Sequence, residues 1–124
     1  MIPGLLIYRF DASLVFFNAD YFKDRVLELS NGADTPPRWL LFDAESIPFM
    51  DITGAEAVEA LRGELAGRGT VLAIARAKGL FRAMLERTGV AGRIGTACFF
   101  PTVHAGVQAF LETQGAAGHT TTVQ

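Results

Sequence analysis

The sequence predicts an α/β domain: a mixed, mostly parallel sheet with an N-terminal antiparallel strand pair and about four helices. Three observations carry this. Arg38–Ala44 (RWLLFDA) and Thr70–Ala75 (TVLAIA) are continuous apolar runs, the pattern of strands buried on both faces. Each is followed by apolar residues at helical spacing, an alternation that implies right-handed crossovers and parallel pairing. Ahead of them lie two β-rich runs separated by only two residues, a link so short that it implies antiparallel neighbours.

Gly4–Phe10 (GLLIYRF) is the first strand and Ser13–Phe17 (SLVFF) the second. Asn18 suits a helix N-cap, with Asp20 in the first turn where negative charge complements the dipole. Phe22, Val26 and Leu29 then recur at i, i+4 and i+7, an inward stripe. Asn31-Gly32 ends that helix, and Thr35-Pro36-Pro37 reads as loop. After the central strand, a second helix buries Val58, Leu61 and Leu65. It carries outward pairs Glu59/Arg62 and Glu64/Arg68, each worth about 0.2–0.5 kcal/mol. Gly67 or Gly69 stops it.

Beyond Thr70–Ala75, Gly79–Thr88 reads as a helix with Leu80/Met84 and Phe81/Leu85 inward, closed by Gly89. Gly95–Phe100 is a short last strand. Thr102–Glu112 is the last helix, with Val103, Val107, Phe110 and Leu111 apolar. The domain is expected over residues 3–113, followed by a tail, 114–124, without periodicity and expected to be disordered.

Bulk properties narrow the function classes. The chain has 124 residues, enough for one domain with one core. It is 50% hydrophobic and 19% charged, which argues against disorder. A formal net charge of -2 gives no electrostatic reason for a nucleic-acid partner. The one cysteine, Cys98, cannot form a disulfide within the chain and suits core packing in a reducing compartment. His104 and His119 lack cysteine partners at zinc spacing. No apolar run approaches the ~20 residues of a bilayer span, and the N-terminus lacks a basic leader. The chain is therefore expected to be soluble and cytoplasmic.

The chemistry-bearing stretch is FMDITGAE, Phe49–Glu56, where the central strand hands over to its helix. Thr53-Gly-Ala-Glu56 fits the capping box, with the threonine accepting from the Glu56 amide and Glu56 reaching back. Thr53 also opens a helix at the carboxyl end of a parallel strand, where ligands gather and free amides favour anions. The next strand ends in Arg76-Ala-Lys78, with Arg82 one turn on. If the two strands are neighbours, these cations face Thr53 and Gly54 and make a shallow anion or nucleotide site, or stabilise a phosphate on Thr53. Asp51 orients the hydroxyl, repels a phosphate there, or is a loop acid, and Asp43 and Glu45 add opposing charge. Phosphate-loop, dinucleotide, nucleophile-elbow and zinc-protease motifs are all missing from the sequence. His104 reads as a surface residue, so no enzyme, cofactor or metal is expected.

The strand end followed by Asp-x-Thr-Gly resembles the signature of the STAS domain. That fold is shared by bacterial anti-sigma-factor antagonists and by the cytoplasmic tails of SulP-type sulfate and anion permeases. Three stretches resemble the permease branch: PGLLIYRFDASLVFFNADYFKDRV, LAIARAKGLFRAMLERTGV and IGTACFFPTVHAGVQAF. The resemblance implies the C-terminal cytoplasmic domain of an integral membrane transporter, at the inner or plasma membrane. It implies a non-catalytic regulatory and interaction role. The partners it implies are the transmembrane domain of the same permease and regulatory proteins, with a homodimer and nucleotide binding also open. In the antagonist branch, the position matching Thr53 is a serine phosphorylated by a partner kinase. The position matching Ile52 is often serine there, which leaves Thr53 as the acceptor in this chain. The alternative is thus a freestanding antagonist switched at Thr53.

Overall fold

The computed structural model of the chain describes residues 2–32 and 35–122. Strands β1 (Leu5–Arg9), β2 (Trp39–Asp43), β3 (Val71–Ala75) and β4 (Phe99–Phe100) form one sheet in that order, and each neighbouring pair is parallel. The helices are α1 (Ala19–Asn31), α2 (Ile52–Gly67), α3 (Gly79–Arg87), α4 (Val90–Ile94) and α5 (Val103–Thr122). α5 runs past Glu112 into the segment expected to be irregular. Val123 and Gln124 of that segment lie outside the described residues.

Strand alternation sorts the core into two layers. Leu40 pairs with Leu72 and Phe42 with Ile74, and these four side chains point to one face. There they meet Phe22 and Val26 of α1, Val58, Leu61 and Leu65 of α2, and Phe81 and Leu85 of α3. The intervening residues, Leu41 and Ala73, point the other way and pack with Leu5, Ala75 and Phe110 of α5. A Cβ at Gly106 would sit 2.9 Å from both methyl carbons of Leu41, so glycine lets α5 lie directly on β2. The helices leaving β1, β2 and β3 therefore share one face, and the helix leaving β4 crosses to the other.

The N-terminal antiparallel pair is not formed. Ser13–Phe17 contributes only an isolated parallel bridge, Leu14 to Met50. Leu14 is fully buried, while Phe16 and Phe17 are 72% and 77% exposed. The run has strand composition without a neighbour to pair with, and tertiary context overrides such propensity. Asn18 stands at the N-cap position of α1 but makes no cap bond. Its side chain instead accepts from the Val15 amide (2.9 Å) and donates to the Ser13 carbonyl (2.8 Å), closing the turn that delivers α1.

Three further differences are local. Leu80 is 60% exposed rather than inward, while Phe81 and Leu85 are buried and Met84 packs partly against the core as expected. Gly89, in the left-handed region, ends α3 as expected, but a short fifth helix, α4, starts directly after it. The last strand shrinks to two residues because Thr96–Cys98 forms a single 3₁₀ turn.

Candidate functional site

The junction between β2 and α2 is built around Asp51. It is the N-cap of α2, and its Oδ1 accepts from the Gly54 amide at 2.8 Å. Its other carboxylate oxygen accepts from the Phe16 amide at 2.9 Å. One side chain thus satisfies a first-turn donor and fixes the segment preceding α1. The backbone completes the clamp: Leu14 donates to the Phe49 carbonyl, and Asp51 donates to the Leu14 carbonyl.

The predicted Thr53–Glu56 capping box is not formed, because the helix starts two residues earlier than that pattern requires, with Asp51 rather than Thr53 as N-cap. Thr53 is the second residue of α2, and both Thr53 and Glu56 are exposed. The two roles are separable by substitution. Asp51→Ala is expected to cost about 1–2 kcal/mol, the upper part of the range for a lost N-cap, because it accepts two hydrogen bonds. Thr53→Ala is expected to stay within about 0.5 kcal/mol, as for a solvent-facing position. Urea denaturation of the two variants checks this, and a larger loss at Thr53 than at Asp51 would contradict the assignment.

Gly54 is the residue whose role the sequence hides. A Cβ there would lie 2.3 Å from the Leu14 carbonyl oxygen and 2.7 Å from Met50 Cγ. The signal available in the sequence is a glycine in the first turn of a helix, a costly choice that implies a packing reason.

Arg76, Lys78 and Arg82 do come together. They line an open cavity of about 650 Å³ at the carboxyl ends of β3 and β4, with Glu45, Thr96 and Thr102 among the other lining residues. Asp51, Thr53 and Gly54 are not among them, so the single rim expected from the sequence is two separate places. β2 and β3 are indeed neighbours. However, the first turn of α2 packs closely against the backbone of Leu14, ahead of α1, through the contacts at Gly54.

In the cavity Arg76 has φ +61°, the only left-handed non-glycine among the described residues. Its amide donates to the Phe100 carbonyl, extending the β3–β4 ladder by one bond. Its Nη1 lies 2.7 Å from Glu45, and its buried Nε has no hydrogen-bond partner. Arg82 lies over the Phe99 ring, 4.2 Å from the centroid, and pairs with Glu86 at 3.0 Å. Glu45 is fixed in turn by its amide, which donates to Asp43 Oδ1.

The remaining candidates fall elsewhere. His104 is exposed in the first turn of α5. Cys98 packs between the two core layers, and burial pushes its thiol pKa up, which disfavours the reactive thiolate. Among the described residues, no group of three His, Cys, Asp or Glu side chains is arranged to hold a metal ion, and no helix is long and apolar enough to cross a membrane.

Comparison with known proteins agrees with this architecture. The STAS domain model matches residues 1–106. A probable sulfate transporter of Mycobacterium tuberculosis is 38% identical over 109 residues, which is 88% of this chain and 20% of the transporter. The chain therefore spans about one fifth of that relative's length. The STAS domain of a SulP transporter from Vibrio cholerae superposes with a TM-score of 0.78 at 22% identity, over 94% of this chain and 88% of that one. A candidate anti-sigma factor antagonist from Thermotoga maritima superposes with a TM-score of 0.72 at 16% identity, over 92% and 91%. This chain belongs to the STAS domain family, and within it resembles the domains carried by SulP-type sulfate transporters.

Proposed function

We propose that the chain is the regulatory and interaction module of a SulP-type inorganic-anion transporter, on the cytoplasmic side of the membrane, and that it performs no catalysis. The observation that carries this reading is the 38% identity to one fifth of a sulfate transporter, spread over nearly the whole chain. In this reading the folded module comprises residues 3–113. Its partners are the transmembrane domain of the same polypeptide and regulatory proteins.

The surface best suited to contact is the α2 junction. Phe16, Phe17, Phe49 and Ile52 are all exposed around the Asp51 clamp. Aromatic side chains held rigid at the surface are the usual anchors of an interface. Thr53 sits in the same place, so a phosphate there would add negative charge to the middle of an apolar patch.

The test uses the full reading frame that encodes this chain. A photo-crosslinking residue is placed at Phe17 and, as a control, at Lys23 on α1. Crosslinks from position 17 to membrane-embedded segments of the same polypeptide are expected. A reading frame without membrane-spanning segments would defeat the transporter assignment.

One observation favours a second reading, a freestanding antagonist switched by a Ser/Thr kinase: Thr53 is exposed at the opening of α2, in a fold shared with the Thermotoga protein. Stoichiometric labelling of Thr53 alone by a co-encoded kinase, read by mass spectrometry, would favour it over the transporter reading.

A further inference from the structure

The apolar side chains grouped at the α2 junction are held, not loose. Phe16, Phe17, Tyr21 and Ile52 are each more than half exposed. The Phe16 amide donates to Asp51, and the Val15 amide donates to Asn18. The Phe16 and Phe17 rings meet edge to face, with centroids 5.6 Å apart. Grouped apolar surface marks an interaction site, and anchors already fixed in place lose little freedom on binding.

The rim of this patch is acidic. Asp20 and Asp24 are exposed on the opening turns of α1, and Glu56 is exposed one turn beyond Ile52 on α2. Among the described residues none of these three carboxylates takes part in an ion pair. Asp51 adds a fourth, engaged by the Phe16 and Gly54 amides. The cations on the same turns of α1 are Lys23 and Arg25, and Arg25 is paired with Glu28 at 2.6 Å. Carboxylates therefore outnumber cations around the aromatic side chains. Such a surface repels an anionic lipid leaflet and a second copy of itself. It attracts a segment that carries apolar and cationic side chains together.

We propose that this patch docks a Lys/Arg-rich amphipathic protein segment. The segment's apolar side chains cover Phe16, Phe17 and Ile52, and its cations face Asp20, Asp24 and Glu56. The proposal rests on the transporter reading for where the segment lies, since cytoplasmic loops of membrane proteins carry an excess of Lys and Arg. The charge pattern also sets the sign of a change at Thr53, exposed between Ile52 and Glu56 on α2. Negative charge there adds to the attraction, so a phosphate on Thr53 tightens docking and does not release the partner.

The test titrates the 124-residue chain with a labelled amphipathic Leu/Lys helix of about 18 residues, read by anisotropy and by amide ¹H–¹⁵N shifts. Saturable shifts are expected at residues 14–24 and 49–57, with affinity falling several-fold between roughly 50 and 250 mM salt. Phe17→Ser is expected to weaken binding about tenfold, as is the triple change Asp20→Asn, Asp24→Asn and Glu56→Gln. Thr53→Glu is expected to tighten it about twofold. Glu112→Gln, which removes an exposed acid from α5, should leave it within that factor. A Leu/Glu helix of the same length and phosphatidylglycerol vesicles are expected not to bind. Affinity unchanged by the triple variant, weaker binding of Thr53→Glu, preference for the Leu/Glu helix or the vesicles, or self-association through residues 14–24 would each overturn the proposal. The crosslinks from position 17 test the transporter reading separately. Charge-dependent binding of the Leu/Lys helix, together with a reading frame that lacks membrane-spanning segments, would defeat that reading alone.

Discussion

Phe22→Ala is expected to be the most damaging single truncation, with a loss of about 3–5 kcal/mol, as for large aromatic residues in cores. Phe22 is fully buried on α1, and its ring lies 5.1 Å from that of Phe42, 5.4 Å from Phe10 and 6.1 Å from Tyr8. It therefore joins a helix to side chains of β1, β2 and the turn that follows β1. Truncation would leave a cavity among rings that close in only partly, because Tyr8 and Phe42 are held by their strands. Single-domain stabilities are about 5–15 kcal/mol, so the change removes a large share of the total. The melting temperature should fall by roughly 15 °C. A drop of only a few degrees, measured by calorimetry, would mean that α1 contributes little to the core.

Gly54→Ala is expected to be the second largest effect, and its sign makes it diagnostic. On helix propensity alone, alanine should be better than glycine by about 0.8–1.0 kcal/mol. The new methyl would lie 2.3 Å from a backbone oxygen, where no rotamer change can relieve the clash. Either the first turn of α2 or the Leu14 segment must move, and the Asp51 clamp between them must open. A loss of about 3 kcal/mol is expected, the upper end of overpacking costs. Gly63 provides the internal control. It lies in the same helix, and nothing stands within 4 Å of the point a Cβ would occupy there. Gly63→Ala should therefore stabilise the protein by roughly 0.5–1 kcal/mol. Denaturation curves giving both variants the same sign would refute the close approach at residue 14.

Much of this architecture was legible because periodicity reports burial. The apolar runs at Trp39–Asp43 and Val71–Ala75 became the two central strands, and the helix between them buries Val58, Leu61 and Leu65 as its spacing requires. The Glu59/Arg62 pair formed with two hydrogen bonds, at 2.9 and 2.8 Å, because local helical geometry alone determines it. Ser13–Phe17 failed for the complementary reason. Its composition suits a strand, but pairing depends on a neighbour that sequence does not supply, and the backbone at Leu14 found Met50 instead.

The candidate site was half legible. Arg76, Lys78 and Arg82 lie close together along the chain, and the turn after β3 gathers them. Thr102 and Thr96 come from the far side of α4 and reach the same cavity only through the β3–β4 pairing. Asp51 and Thr53 could not be told apart as caps from spacing, since Asp51-Ile-Thr-Gly54 and Thr53-Gly-Ala-Glu56 both place an acceptor three residues before an amide. The contact between Gly54 and Leu14 decides between them, and that contact is long-range.

The sequential order of the strands has a consequence for biosynthesis. Each strand lies beside the one made before it, but a domain folds as a unit, so the sheet must await its last helix as the polypeptide leaves the ribosome. Its second face stays bare until the final helix is synthesised. During that interval Leu41, Ala73 and Ala75 are open to solvent and to other nascent chains, and docking of Phe110 ends the exposure.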